Sequence, residues 1–229
     1  MNSIATLDDI IEWDIPNWSV ALDYWRKHTL QNSSSIRALE IGSRHGGLSL
    51  WAALNGMKVL RTDLEGPSNK AIEKHKKYKV SDCIKYETLN ALDIPYGGEF
   101  DVVLFKSVLG DIGRLNNRDN QVKAINEIHK SLKKGGELWF AENLVASPFH
   151  WLFRSRCVEW GNTWRYVTIQ EMNEYLSIFS EVKYTTVGFL GCFGRTSFQR
   201  LLLGKMDRII ADKLVPEIWR YIIIGIARK

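Results

Sequence analysis

The chain has 229 residues, 45% of them hydrophobic and 25% charged, with 31 lysines and arginines against 26 aspartates and glutamates. That balance is that of an ordinary globular domain with a sizeable core, and it excludes disordered, collagen-like and low-complexity classes. The excess of +5 favours anionic partners only mildly.

Targeting and redox signals are sparse. The longest apolar run, Tyr221 to Ala227, is too short to span a bilayer. The N-terminus lacks the basic-then-apolar order of a secretion signal. Cys83, Cys157 and Cys192 are an odd, scattered set, expected to be reduced thiols in a cytoplasmic setting rather than a disulfide frame or zinc cluster. Histidines and carboxylates do not cluster, so no metal is expected.

In chain order, Trp18, Ala21, Leu22 and Trp25 share one face of a predicted helix that follows Trp13, Asp14 and Pro16. Gln31 to Ser35 is a polar connector. Ala38 to Ile41 is a short apolar strand running into a turn that carries Gly42 and Gly46, and Leu48 to Leu54 is a helix stopped by Asn55-Gly56. A glycine there lets backbone approach a ligand, and the helix N-terminus behind it offers free N–H groups. Met57 to Thr62 forms a second strand ending in Asp63, and Lys70, Lys74, Lys76, Lys77 and Lys79 follow as the solvated face of a helix. His75 and His129 fall on helix faces expected to meet solvent.

Ile84 to Leu89 is a third strand leading to Asn90, and Phe100 to Phe105 has the continuous apolar run of a buried parallel strand, with Lys106 and Ser107 at its exit. Val122, Ile125, Ile128 and Leu132 space a helix that ends at Lys133-Lys134-Gly135-Gly136, before a strand from Glu137 to Ala141. Thr168 to Glu171 is a capping box, and Val182 to Val187 and Tyr221 to Ala227 are two last strands. Phe198 to Leu214 is amphipathic, read by default as core packing or a homodimer contact, with membrane-surface contact as the other reading.

Glu40-x-Gly42-x-x-x-Gly46 resembles the first motif of the class I, Rossmann-like S-adenosylmethionine-dependent methyltransferases, with Arg44 standing where the family often has a middle glycine. The match runs motif by motif over residues 36 to 145 and in outline beyond. It implies an α/β fold: a seven-stranded, mostly parallel sheet with the last strand antiparallel, helices on both faces and a small helical cap. Residues 1–34 would form an N-terminal helical cap, or pack on the sheet; residues 35–229 would be the cofactor-binding domain, with 146–167 a cap insertion. The cofactor implied is S-adenosylmethionine. It would be held by Glu40, the turn residues Gly42, Ser43, Arg44, His45 and Gly46, and by Asp63 and Leu64. Asn90 and Ala91 would face the adenine, and Lys106 and Ser107 the amino-acid end. The spacing from Gly42 to Asp63 independently suits a carboxylate that accepts from both ribose hydroxyls.

The acceptor should meet the cofactor at the C-terminal strand ends. Six of the nine tryptophans fall in two flanking segments, namely Trp13, Trp18 and Trp25, then Trp151, Trp160 and Trp164; Arg154, Arg156 and Arg165 lie among the second set. Rings with guanidinium forks suit a sugar or other small polar acceptor bearing an anionic group. The other reading is a plugged cap with solvated arginines. A hydroxyl needs a base, with His150 the first candidate and Glu142 and Asp111 the alternatives. A looser similarity to methyltransferases of bacterial surface-polysaccharide pathways suggests glycan O-methylation. The other functions considered are an RNA or protein methyltransferase, though no nucleic-acid-binding stripe is evident, and a nicotinamide-dependent oxidoreductase.

Overall fold

A computed structural model describes residues 5–31, 35–157 and 163–229. Its centre is one seven-stranded sheet in the order β3-β2-β1-β4-β5-β7-β6. The strands are β1 (Arg37–Glu40), β2 (Lys58–Asp63), β3 (Ile84–Thr88), β4 (Phe100–Lys106), β5 (Leu132–Asn143), β6 (Glu181–Val187) and β7 (Ile222–Arg228). β7 runs antiparallel between β5 and β6, while β1 to β5 pair in parallel. The expected seven-stranded sheet with its last strand reversed is therefore what forms.

Successive strand residues point to opposite faces, and both faces are covered. On one face Ala38, Val102, Leu104, Trp139 and Ile224 meet α1 (Leu7–Ile11), α2 (Ile15–Trp18), α3 (Val20–His28) and α4 (Gly47–Leu54). Beside that layer runs α5 (Asn69–Lys77). On the other face Leu39, Val103, Phe105 and Leu138 meet the short α6 (Leu109–Ile112), α7 (Arg118–Ser131) and α9 (Ile169–Leu176); α8 (Pro148–Cys157) lies between β5 and α9 in the chain. The chain continues through α10 (Ser197–Met206), a π-helical turn at Asp207–Ala211 and α11 (Asp212–Leu214). Among the described residues no helix is long and apolar enough to cross a membrane.

Several local expectations need revision. Trp25 is core rather than pocket: it lies with Trp51 and Trp139 in a buried cluster with ring centroids 5.8 to 6.1 Å apart, and its indole N–H donates to Gly225 O. Trp18 is likewise buried. Lys74 is not solvated but buried, its ammonium donating to Asp9 O at 2.7 Å and pairing with Glu12 at 2.8 Å, which ties α5 to α1. β5 begins at Leu132, opposite Phe100, and a register shift absorbs residues 133–136 before Glu137 pairs with Val102. Phe198, Leu201, Leu202, Ile209, Ile210 and Leu214 are exposed, so the core-packing reading of 198–214 does not hold.

Four polar side chains buried together fasten the N-terminal helices to the far edge of the sheet. Asn17 donates to Asp207 at 2.8 Å and lies 3.0 Å from the Tyr221 hydroxyl, which donates to Asp14. Asp207 also accepts from the N–H groups of Leu190 and Gly191. Burial pushes the Asp14 carboxyl up to about 7, and the neighbouring Asp207 charge adds to the rise. The folded protein therefore retains a proton that the unfolded chain gives up near pH 4, so this group's contribution to stability falls as pH climbs toward 7 and beyond. Asp14→Asn, which needs no proton, should gain melting temperature relative to the parent as pH rises from about 5 to about 8. A gap between the two proteins that stays constant across that range would contradict this.

Candidate active site

The turn between β1 and α4 is shaped by what packs beneath it. Gly42 and Gly46 have φ of +62° and +69°, which side chains rarely adopt. A Cβ at Gly42 would sit 2.7 Å from Val108 Cγ2, and one at Gly46 would sit 2.6 Å from the His75 ring. Arg44 adopts a left-handed φ of +47° without being glycine. Three bonds hold it there: its N–H donates to Asp63 Oδ2 at 2.7 Å, and its carbonyl accepts from Arg61 at 2.6 Å and Ser68 Oγ at 3.0 Å. They offset the ~1 kcal/mol or more such a conformation costs.

Two residues outside the predicted set do much of this work. Arg61 is fully buried and bonds the carbonyls of Arg44 and Gly66. His75, expected at the surface, is also fully buried, with Nε2 2.8 Å from Gly46 O and Nδ1 2.8 Å from the Tyr86 hydroxyl. Because a carbonyl only accepts, Nε2 carries the proton and Nδ1 accepts from Tyr86; burial lowers the pKa and keeps the ring neutral. A charged residue inside the apolar run of β2 was the visible sign of Arg61. No sequence signal marked His75.

The parallel order β3-β2-β1 brings the turn, Asp63 and Asn90 to one end of the sheet. Ser43 Oγ and His45 Nδ1 are buried there without a hydrogen-bond partner among the described residues. Two orphaned polar atoms in a glycine cradle fit a polar ligand held against backbone. Leu64, next to Asp63, is 67% exposed. Asn90 Oδ1 accepts from Leu92 N at 2.9 Å, closing a local turn in front of half-buried Ala91. Ser107, at φ +58°, accepts from the Asn143 amide, and Lys106 donates to Ile11 O at 3.3 Å with its ammonium 5.2 Å from the Trp18 ring. Burial lowers the Lys106 pKa. Glu40 does not stand free at a strand tip. Its buried carboxyl accepts from Ser49 N and Oγ, clipping α4 to β1, and burial raises it to about 7.

Of the proposed bases, two are committed elsewhere. His150 is fully buried among Phe189, Phe193 and Tyr221, with Nδ1 2.7 Å from Ser147 Oγ and Nε2 2.9 Å from Phe189 O. Burial depresses its pKa to about 4, and no ring nitrogen is left to take a substrate proton. Glu142 is fully buried, and accepts from the N–H groups of Val108, Leu109 and Asn143 at 2.7 to 2.8 Å. It holds backbone, while burial raises it to about 7. Asp111 on α6 is exposed and pairs with Arg114, whose other arm donates to Thr163 Oγ1 at 2.9 Å.

Four of the residues expected at the acceptor converge. Trp151, Arg154, Trp164 and Arg165, with Tyr166 and Asn116 among others, line a cavity of 290 Å³. Arg154 is buried, anchored to Leu144 O at 2.6 Å and stacked 4.0 Å from the Tyr166 ring centroid. Arg165 is a wall-holder rather than a clamp, since Glu171, Gln121 and Asn116 occupy its guanidinium. Arg156 turns away into a separate apolar groove with Phe149, Leu152 and Phe189. Trp160 lies outside the described residues.

The glycine turn and one residue of the cavity, Trp164, pack against the same short segment. Val108 touches Gly42, and two residues later Gly110 lies so close to Trp164 that a Cβ there would be 1.6 Å from the indole nitrogen. Among the described residues no group of three His, Cys, Asp or Glu could hold a metal ion.

Residues 39–140 match the protein family described as "Methyltransferase domain". No curated protein matches the sequence. Phosphoethanolamine N-methyltransferase 2 of Haemonchus contortus has 16% identity and a TM-score of 0.63 over 93% of this chain, which spans about half (52%) of that longer protein. Geranyl diphosphate C-methyltransferase of Streptomyces coelicolor has 14% identity and a TM-score of 0.62, covering 93% of this chain and 79% of that one. A Bacillus halodurans protein described as a methyltransferase has 16% identity and a TM-score of 0.59, covering 92% and 99%. At these identities the structures speak to fold, and residues 39–140 add the chemistry: this part of the chain is a methyltransferase domain, of the kind that uses S-adenosylmethionine.

Proposed function

We propose that the enzyme O-methylates a sugar or comparable small polar acceptor that carries an anionic group. The observation behind this is the segment of residues 108–110, with the glycine turn against Val108 and Trp164 of the aromatic, guanidinium-bearing cavity against Gly110. A donor held by the turn and an acceptor in the cavity would then lie close to the same short segment. Transfer requires that the acceptor oxygen meet the sulfonium methyl in line beside that segment, with no backbone between them. Indole and phenol rings suit the apolar face of a sugar, and the edge of the Arg154 guanidinium not given to Leu144 O and Val145 O suits phosphate or carboxylate. Two proteins of similar fold are consistent with an anionic acceptor, one being complexed with phosphomonomethylethanolamine and the other with geranyl diphosphate.

S-adenosylmethionine, when bound, supplies an activated sulfonium methyl. On this reading the Gly42–Gly46 turn with Ser43 and His45, Asp63 with Leu64, Asn90 with Ala91, and Lys106 with Ser107 hold it. Asp63 keeps lone pairs for ribose beyond those given to Arg44 N. Asp111 is the base that takes the acceptor hydroxyl's proton, and Arg114 aims it by bridging to Thr163 on the cavity wall. Trp164 and Trp151 exclude water from the acceptor's ring.

Three measurements check the reading. Asp63→Ala should weaken calorimetric binding of adenosylhomocysteine roughly ten- to hundredfold, the worth of hydrogen bonds to a charged group; unaltered binding removes the ribose role. Labelled-methyl transfer should be found with phosphorylated or uronic sugars and not with total RNA, and transfer confined to RNA or protein would refute the acceptor class. With the acceptor in hand, Asp111→Asn should lower kcat by about 10² to 10⁴ while leaving adenosylhomocysteine affinity intact. Near-parental turnover would dismiss Asp111 as the base.

A further inference from the structure

The stretch from Ser197 to Leu214 is built the wrong way round for a helix that packs on a core. It buries Gly204, Asp207 and Ala211 and turns outward Phe198 (73% exposed), Leu201, Leu202, Ile209 (65%), Ile210 and Leu214 (78%). Rotation cannot hide this stripe. Asp207 accepts from Leu190 N, Gly191 N and the Asn17 amide, and turning it out would orphan those buried donors. Gly204 seats the helix so closely on α2 that an added Cβ would lie 3.0 Å from Pro16 Cβ.

The outward stripe is part of a wider apolar face. Arg195, just before α10, reaches Cys157 at the end of α8, while Trp219, just after α11, meets Phe149 at the start of α8. The two helical stretches therefore lie side by side in opposite directions. Against α8 runs the 530 Å³ apolar groove, lined by Phe149, Leu152 and Phe153 of that helix and by Phe189 and Phe193 of the loop that precedes α10. Exposed Phe149, Leu152, Ile218 and Trp219 extend the face.

Charge selects the occupant. Arg156, Arg195, Lys205 and Lys213 are exposed around this face, and Glu217 is the one exposed acid between residues 189 and 220. Asp212 is already taken by Arg208 and Gly188 N. A second copy docked by a twofold axis would bring these cations against their own likeness, which costs rather than gains. An anionic bilayer matches both features, with apolar and aromatic side chains entering the interface and a basic rim meeting the headgroups.

We propose that the face formed by α8, α10, α11 and residues 217–219 docks the protein peripherally on anionic phospholipid membranes. The test is flotation of the intact protein with phosphatidylcholine vesicles, with and without phosphatidylglycerol, alongside sedimentation without lipid. The parent protein should float with phosphatidylglycerol-containing vesicles, about tenfold or more better than with phosphatidylcholine alone, and less well as salt rises. The double variant Ile209→Glu/Ile210→Glu, altered at exposed positions, should stay at the bottom of the gradient while melting like the parent. Lys205→Glu/Lys213→Glu should erase the preference for anionic lipid. A parent protein that fails to float, or a glutamate variant that floats as well as the parent, overturns the proposal. So does a lipid-free dimer that the Ile209→Glu/Ile210→Glu variant splits, since the face would then be a self-association surface.

Discussion

Everything around the glycine turn and the aromatic cavity depends on where the backbone goes after β4, and one unexposed carboxylate governs that. Glu142 reaches from β5 to accept the N–H groups of Val108 and Leu109, and it closes on its own neighbour Asn143. Without it those donors would be buried and unpaired, at about 1 to 3 kcal/mol each. With it, residues 107–110 form a well-held segment. Its constraints come from both sides, since Gly42 admits no Cβ against Val108 and Gly110 none against Trp164. A carboxylate so fully engaged is poorly suited to catalysis and well suited to positioning.

A comparable economy runs through the rest of the site. Arg61, His75 and Glu40 are ionisable, buried and close to the glycine turn, and each is spent on shaping it: Arg61 and His75 on turn carbonyls, Glu40 on Ser49 of α4. This leaves few titratable groups free to touch substrate. Asp111 stands out for being exposed and tethered to the cavity wall only through Arg114. The N-terminal helices are joined to this arrangement through Lys74 and Lys106, which bond the carbonyls of Asp9 and Ile11. The layer over the sheet and the floor of the glycine turn are thereby one packed unit.

On the opposite side, polar burial has a different consequence. The Asp14, Asn17, Asp207 and Tyr221 group pins α2, the π-helical turn and β7 together. Because Asp207 faces inward together with Gly204 and Ala211, three and four positions away on the same side, the apolar residues Leu201, Leu202, Ile209 and Ile210 on the other side face outward. An interior hydrogen-bond network thus creates an exterior hydrophobic surface, and the basic side chains around it set what that surface can meet.

How much of this the chain announces by itself follows from the range of the interactions. Strand runs, the glycine turn, the capping box at Thr168 and the acid at the end of β2 are local patterns, so sheet, cofactor class and the cluster of Gly42, Asp63 and Asn90 were legible without coordinates. The acceptor cavity was legible in part, because Trp151, Arg154 and Trp164 share a short segment, whereas Arg165 turned out to be occupied by Glu171 and Gln121. Roles for single polar residues were not legible. His150 and Glu142 look like bases in sequence, and only packing shows Phe189 O and the backbone of residues 108 and 109 already holding them. The same holds for the 198–214 stripe: its period is set by the chain, but which side meets water is decided by a carboxylate reaching to Leu190, Gly191 and Asn17. Periodicity fixes that a helix has two faces; only long-range hydrogen bonds fix which of them is inside.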